Sequence, residues 1–210
     1  MPDWQAEAII LSVRPHGEGS AVISVLTADY GRHAGLVRGG ASSRMRGIIQ
    51  PGNRVAVSWR ARLSEQLGQM QIELVQSVSA LLLDSPLRLS GVASMCALLD
   101  GALPEREAQS GLFEGSAALL DVIVLDDDNA GWIEGYVRWE LGLLAAVGYR
   151  LDLARCVASG QTNDLAFVSP KSGGAVARHQ AGSFASRMLA LPMFLGGVSC
   201  GKHDWIAGLD

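Results

Sequence analysis

No aspartate or glutamate stands between Arg32 and Arg62, although that stretch holds seven arginines: Arg32, Arg38, Arg44, Arg46, Arg54, Arg60 and Arg62. Surfaces normally intersperse both signs, so the gap favours an anion-binding face over a merely solvated one. Cysteine is scarce as well. Cys96, Cys156 and Cys200 lie far apart, and their odd count excludes a fully paired disulfide framework and fits a reducing compartment. Stretches such as Leu141 to Tyr149 fall short of the roughly 18 to 20 apolar residues that a membrane-spanning helix requires. Asp3 and Glu7, with no basic residue ahead of the first apolar run, exclude the basic region of a secretory signal. A soluble, cytoplasmic protein is expected. With 49% hydrophobic and 18% charged residues, the 210-residue chain is not globally disordered. At this length, about 70% of the unfolded surface can be buried in one or two domains.

Catalytic machinery is equally hard to find. There is no G-x-x-x-x-G-K-[ST] loop, and Pro170-Lys171-Ser172-Gly173-Gly174 lacks its glycine spacing, so ATP has no cradle. Gly197-Val198-Ser199-Cys200-Gly201 matches G-x-S-x-G, but His203 precedes Asp204 within five residues of the serine, which is not the order of a hydrolase. His16, His33, His179 and His203 form no metal-ligand spacing and read as structural or surface residues. The carboxylates of Asp126-Asp127-Asp128-Asn129 read as caps facing the positive end of the next helix. The chain is expected to be no enzyme and to need no cofactor.

What is present divides along the chain. Residues 1 to 80 hold 8 basic and 6 acidic side chains, residues 81 to 140 hold 3 and 11, and residues 141 to 210 hold 6 and 4. The first segment reads as five strands, roughly Gln5 to Arg14, Ser20 to Ala28, Gly31 to Arg38, Arg54 to Leu63 and Gly68 to Val78, separated by glycine-rich turns and a Gly/Ser/Arg loop from Gly39 to Gly47. Five short strands in that length predict a small barrel. In the fourth, Val55, Val57, Trp59, Ala61 and Leu63 take the core face and Arg54, Ala56, Ser58, Arg60 and Arg62 the wet one; in the fifth, Met70, Ile72 and Leu74 point in and Gln69, Gln71 and Glu73 out.

From Leu81 onward the spacing turns helical, with helices expected from about Pro86 to Leu103, Glu107 to Leu125 and Ala130 to Val147, the first capped by Asp84-Ser85. Leu151 to Gln180 reads as a loop-and-hairpin insert, and Ser183 to Ala190 and His203 to Leu209 as two final short helices. The fold class is α+β: a barrel domain over 1–80, a helical domain over 81–150 and 181–210, and an insert over 151–180.

The arginines suggest a groove. On an extended third strand Arg32 and Arg38 share a face, roughly 20 Å apart at ~3.3 Å per residue. Arg54, Arg60 and Arg62 form a second row, and Arg44 and Arg46 sit on a loop able to close over a bound strand. Nucleic acid is the natural partner. Trp59 belongs to the core, leaving Trp4 and Tyr30 for base stacking, so backbone contacts should dominate and binding should be salt-sensitive and indifferent to sequence. A non-catalytic adaptor whose strip binds RNA or an acidic protein is the competing reading.

The segments Trp4-Gln5-Ala6-Glu7-Ala8-Ile9-Ile10-Leu11, His16-Gly17-Glu18-Gly19-Ser20, Gly31-Arg32-His33-Ala34-Gly35-Leu36-Val37-Arg38-Gly39-Gly40, Gln50-Pro51-Gly52 and Leu165-Ala166-Phe167-Val168-Ser169-Pro170-Lys171-Ser172-Gly173 together resemble the RecO family of bacterial recombination mediators. The resemblance spans nearly the whole chain. It implies an N-terminal OB-fold, a helical domain and a zinc-ribbon-like insert. It further implies binding of single- and double-stranded DNA, annealing of strands coated by single-strand-binding protein through that protein's C-terminal tail, a RecR-type partner, and help in loading RecA during recombinational repair and the DNA damage response. Localisation would be cytoplasmic, at the nucleoid during repair. Arg32 and Arg38 match the third-strand positions associated with DNA contact; the other five arginines rest on the charge argument.

Two departures stand out. Where many members carry two C-x-x-C pairs, this sequence has Cys156, Ser159, Ala177 and Gln180, too few ligands for zinc, so the insert is expected to be metal-free and held by Leu165, Phe167 and Val168. The chain also stops at Asp210, earlier than members typically do. The basic face is expected to neutralise one DNA strand while a second approaches, and the acidic helical segment to contact proteins or pack against the barrel.

Overall fold

The computed structural model describes residues 2–126 and 131–198. β1 (Asp3–His16), β2 (Ser20–Thr27), β3 (Gly31–Val37), β4 (Arg54–Arg60) and β5 (Gln69–Gln76) form a closed barrel in the order β1-β2-β3-β5-β4. All neighbours are antiparallel except β3 and β5, which meet in parallel at Leu36 and Gln69 alone. This is the small barrel expected from the strand and turn pattern, and the OB-fold that the RecO resemblance implies. The Gly39 to Gly47 segment is not wholly a loop, however: Ser42 caps α1 (Ser43–Ile48), its hydroxyl accepting from the Met45 N–H. Met45 and Ile48 pack on the barrel core and Ile49 is buried within it.

Ala8, Ile10, Ile23, Val25, Val55, Val57, Trp59 and Met70 fill the interior. The expected inward alternation fails at two positions. Leu63 is 60% exposed because β4 ends at Arg60, and Leu74 is 43% exposed. Beyond Gln69 no further β5 residue pairs with β3.

β1 shows why the barrel does not stand alone. Ala8, Ile9, Ile10 and Leu11 are all buried, which an alternating strand with one wet face cannot achieve. α2 (Val78–Leu81) follows the barrel, then α3 (Pro86–Ala102) lies against β1 and α4 (Ser110–Leu125) against β2. Cys96 in α3 reaches the Ile10 carbonyl with its thiol, 3.5 Å away, and burial pushes that thiol up to about 12. Ser85 occupies the N-cap of α3, but its hydroxyl accepts from Arg88 Nε instead of capping the helix. Chain packing forms two compact units, Met1–Leu125 and Asp126–Asp210, so α3 and α4 pack in the same unit as the barrel.

In the second unit, α5 (Gly131–Ala146) starts with the Trp132 N–H donating to the Asp126 carboxylate at 2.8 Å, the expected acidic cap. Asp127, Asp128 and Asn129 lie outside the described residues. The insert is a hairpin of β6 (Leu165–Val168) and β7 (Ala175–Ala177) with β8 (Leu189–Ala190) added beside β6. Its core holds Cys156, Leu165, Val168, Val176 and Leu191, with Phe167 half-buried. Ser183 to Ala190 is not an α-helix: α6 (Arg178–Ala181) leads into a 3-10 turn over Gly182–Arg187 and then β8. The helix expected over His203 to Leu209 lies outside the described residues.

His33 on β3 is buried edge-on against Trp4 and Trp59, and neither ring nitrogen has a well-formed hydrogen bond among the described residues. Burial, with Arg106 nearby, lowers its pKa from 6.5 to about 4 against a smaller opposing contribution from the nearby Tyr30 backbone. The unfolded chain takes up this proton first, so the contribution is whole above pH 6.5 and fades as pH falls towards 4. We expect His33→Leu to lose less stability than the wild type between pH 7 and 4, by roughly 3 kcal/mol at most, as measured by urea unfolding at each pH.

Candidate nucleic-acid interface

The seven arginines do not share one face. Arg32 is turned onto the segment that follows α3: its Nε donates to the Leu103 carbonyl at 2.8 Å, and its Nη1 lies 3.4 Å from Asp100 and 3.5 Å from Glu105. The backbone closes the same contact, with the Arg106 N–H donating to the Arg32 carbonyl at 2.8 Å. Gly31 allows it: its φ is +60°, and a Cβ there would lie 1.8 Å from the Glu107 carbonyl oxygen. Arg54, at the far end of β4, pairs with Asp121 of α4 at 3.2 Å. Two members of the strip are thus neutralised by the acidic helical segment, and the single row from Arg32 to Arg38 does not form.

Arg38, Arg44, Arg46, Arg60 and Arg62 are exposed, and none has a carboxylate partner among the described residues. Arg44 and Arg46 project from α1, not from a loop, and Arg62 lies just past β4. Arg38 and Arg60 line an open groove of about 730 Å³ at the seam where β3 meets β5. Strand register fixes its floor. Asp3, Arg60 and Gln69 stand in one cross-strand row and Gln5, Ser58 and Gln71 in the next, with Leu36 beside Gln69. Opposed side chains in such rows are about 5 Å apart at Cβ. Met45 of α1 also lines it.

Trp59 is in the core, as its place in the alternation implies, with Nε1 donating to the Leu67 carbonyl at 3.0 Å. Gly68, at φ +68°, lets the chain pass the indole, since a Cβ there would lie 2.4 Å from Trp59 Nε1. Trp4 stacks on Tyr30 at 4.5 Å and on Trp59 at 5.8 Å. Trp4 is thus engaged by two rings and only partly exposed, and Tyr30, 36% exposed, is the more open of the two stacking candidates. The uncharged row of the groove floor was only half legible in the sequence: the outward positions of Gln69 and Gln71 follow from period two, but the alignment of Gln71 with Gln5 and Ser58 depends on β4 lying between β1 and β5.

Family models place this architecture. Residues 1–78 match Recombination protein O N terminal and residues 83–208 match Recombination protein O C terminal. The chain belongs to the RecO family. A DNA repair protein RecO from Rhodospirillum centenum is 50% identical over 204 residues, covering 96% of this chain and 80% of that protein. Those from Jannaschia sp. (46% over 207 residues, 99% and 83%) and Rhodospirillum rubrum (45% over 197 residues, 93% and 78%) are similar to a comparable degree.

The zinc that the RecO resemblance implies does not fit the residues present. Cys156 is buried in the insert core, and its sulfur accepts the Ala177 N–H at 3.3 Å, where a second ligand would be needed. Burial would raise this thiol, but hydrogen bonds from the Ser159 hydroxyl and from the Ala177, Ala158 and Ser159 backbone bring it to about 7. One thiolate beside a methyl group is no tetrahedral site. Among the described residues no group of three or more His, Cys, Asp or Glu is placed to hold a metal.

Elemental analysis of the purified protein should find well under one zinc per chain; one tightly bound zinc would overturn this reading of the insert. The sorting of the arginines has its own test. Arg32→Ala/Arg54→Ala should cost about 1 to 3 kcal/mol of stability and leave the salt dependence of DNA binding near that of the wild type. Arg38→Ala/Arg60→Ala should spare stability and flatten the salt slope by about 1 to 2 units, read from melting curves and a salt series.

Proposed function

We propose that this RecO-family chain binds single- and double-stranded DNA through the barrel face around Arg38 and Arg60, flanked by Arg44, Arg46 and Arg62. The observation that carries this reading is a groove lined by the exposed Arg38 and Arg60, which, like the exposed Arg44, Arg46 and Arg62, have no carboxylate partner among the described residues. Each offers a planar donor fork suited to phosphate. Because the contacts are to the backbone, binding carries little sequence preference and weakens steeply with salt.

Annealing follows from the same electrostatics. Arginines that neutralise the phosphates of one strand reduce the repulsion felt by a complementary strand and hold the first extended while pairing begins. The role requires no covalent step, so the protein acts as a non-catalytic recombination mediator, working with a RecR-type partner and with single-strand-binding protein to help RecA load at gaps and breaks. Action at the nucleoid in the cytoplasm fits that role.

Fluorescence anisotropy with labelled single-stranded and duplex DNA across a salt series tests the binding. Annealing of complementary labelled strands, followed by fluorescence quenching, tests the activity. We expect a steep salt slope and faster annealing than without protein. Binding that an acidic polypeptide displaces more readily than unlabelled DNA would instead favour an adaptor role.

A further inference from the structure

The floor of the groove differs in chemistry from its rim. Between Arg38 and Arg60, register aligns Gln5, Ser58, Gln69 and Gln71 across three strands, all without a side-chain hydrogen-bond partner among the described residues. Neutral amides can donate to phosphate but attract it less than guanidinium groups do, and Asp3 in the same cleft repels it. Amides and a hydroxyl both donate and accept, and a carboxylate accepts from exocyclic amines. Together they match the edges of nucleobases. The volume of about 730 Å³ lies within the range of small-ligand sites, enough for one or two nucleotides. Stacking is poorly served here, because Trp4 already stacks on Tyr30 and Trp59.

We infer that this groove is a base-edge site for single-stranded DNA: unpaired bases enter between Arg38 and Arg60 and hydrogen-bond to Gln5, Ser58, Gln69 and Gln71 while the phosphates stay on the arginines. This rests on the DNA-binding reading above and adds the feature that separates strand types. In a duplex the pairing edges are turned towards each other and cannot reach the floor, whereas an unpaired strand presents them. Amides serve any base, so the preference is for unpaired strands and not for a sequence.

The test compares a mixed-sequence single strand, an abasic strand of the same length and backbone, and a duplex, binding to wild type and to Gln5→Ala/Gln71→Ala. The wild type should bind the base-bearing strand about 5- to 10-fold more tightly than the abasic one. The double variant should lose most of that difference while keeping duplex affinity, abasic-strand affinity and salt slope. Far-UV circular dichroism and a melting curve establish that the variant is folded, and Ser58→Ala serves as a milder second probe if it is not. Equal wild-type binding of base-bearing and abasic strands, or a variant that retains the difference, overturns the base-edge site and leaves the DNA reading standing. A wild type that binds none of the three DNAs overturns the DNA reading itself.

Discussion

β1 is apolar on both faces from Ala8 to Leu11, and the rest of the first unit is arranged around the need to cover its outer side. A barrel strand turns alternate residues inward and outward, so Ile9 and Leu11 would otherwise stand in water beside the core residues Ala8 and Ile10. Burying a side chain of that size contributes about 1.5 to 3 kcal/mol. α3 supplies the cover on β1 and α4 lies on β2, so these helices are part of the barrel's own compact unit.

That packing also sorts the charges. The helices that cover the barrel carry Asp100 and Asp121, and Glu105 follows α3; these carboxylates meet Arg32 and Arg54 on the covered side. A half-buried guanidinium needs such partners, because an unpaired charge away from water is costly. The arginines beyond the reach of the helices remain exposed towards the groove and α1. One apolar strand face thus decides which members of a uniformly basic stretch hold the fold together and which stay available to an anion.

The insert of the second unit shows the same dependence of local chemistry on what packs around it. Cys156 sits where zinc-binding relatives of the resemblance would place a ligand, yet its neighbours are Leu165, Val168 and Leu191, and its sulfur already accepts a backbone N–H. Side-chain burial and a hairpin with an added third strand do there what a metal does in a zinc ribbon. The hairpin was legible because Gly173 and Gly174 interrupt two apolar runs; the third strand was not, because Leu189–Ala190 is too short to show a period.

Period two, turn chemistry and helical spacing are local properties and were legible in the chain: five strands in a small barrel, the three long helices α3, α4 and α5 within a few residues of their ends, Trp59 in the core, and a basic stretch without acids. Contacts between residues far apart in the chain leave no local period. Only long-range packing sets α1 against the barrel core, places Asp100 and Asp121 on Arg32 and Arg54, and brings Gln5, Ser58 and Gln71 into one row. A guanidinium looks the same in the sequence whether a carboxylate some 70 residues away reaches it or not, and only the fold brings the two within 4 Å.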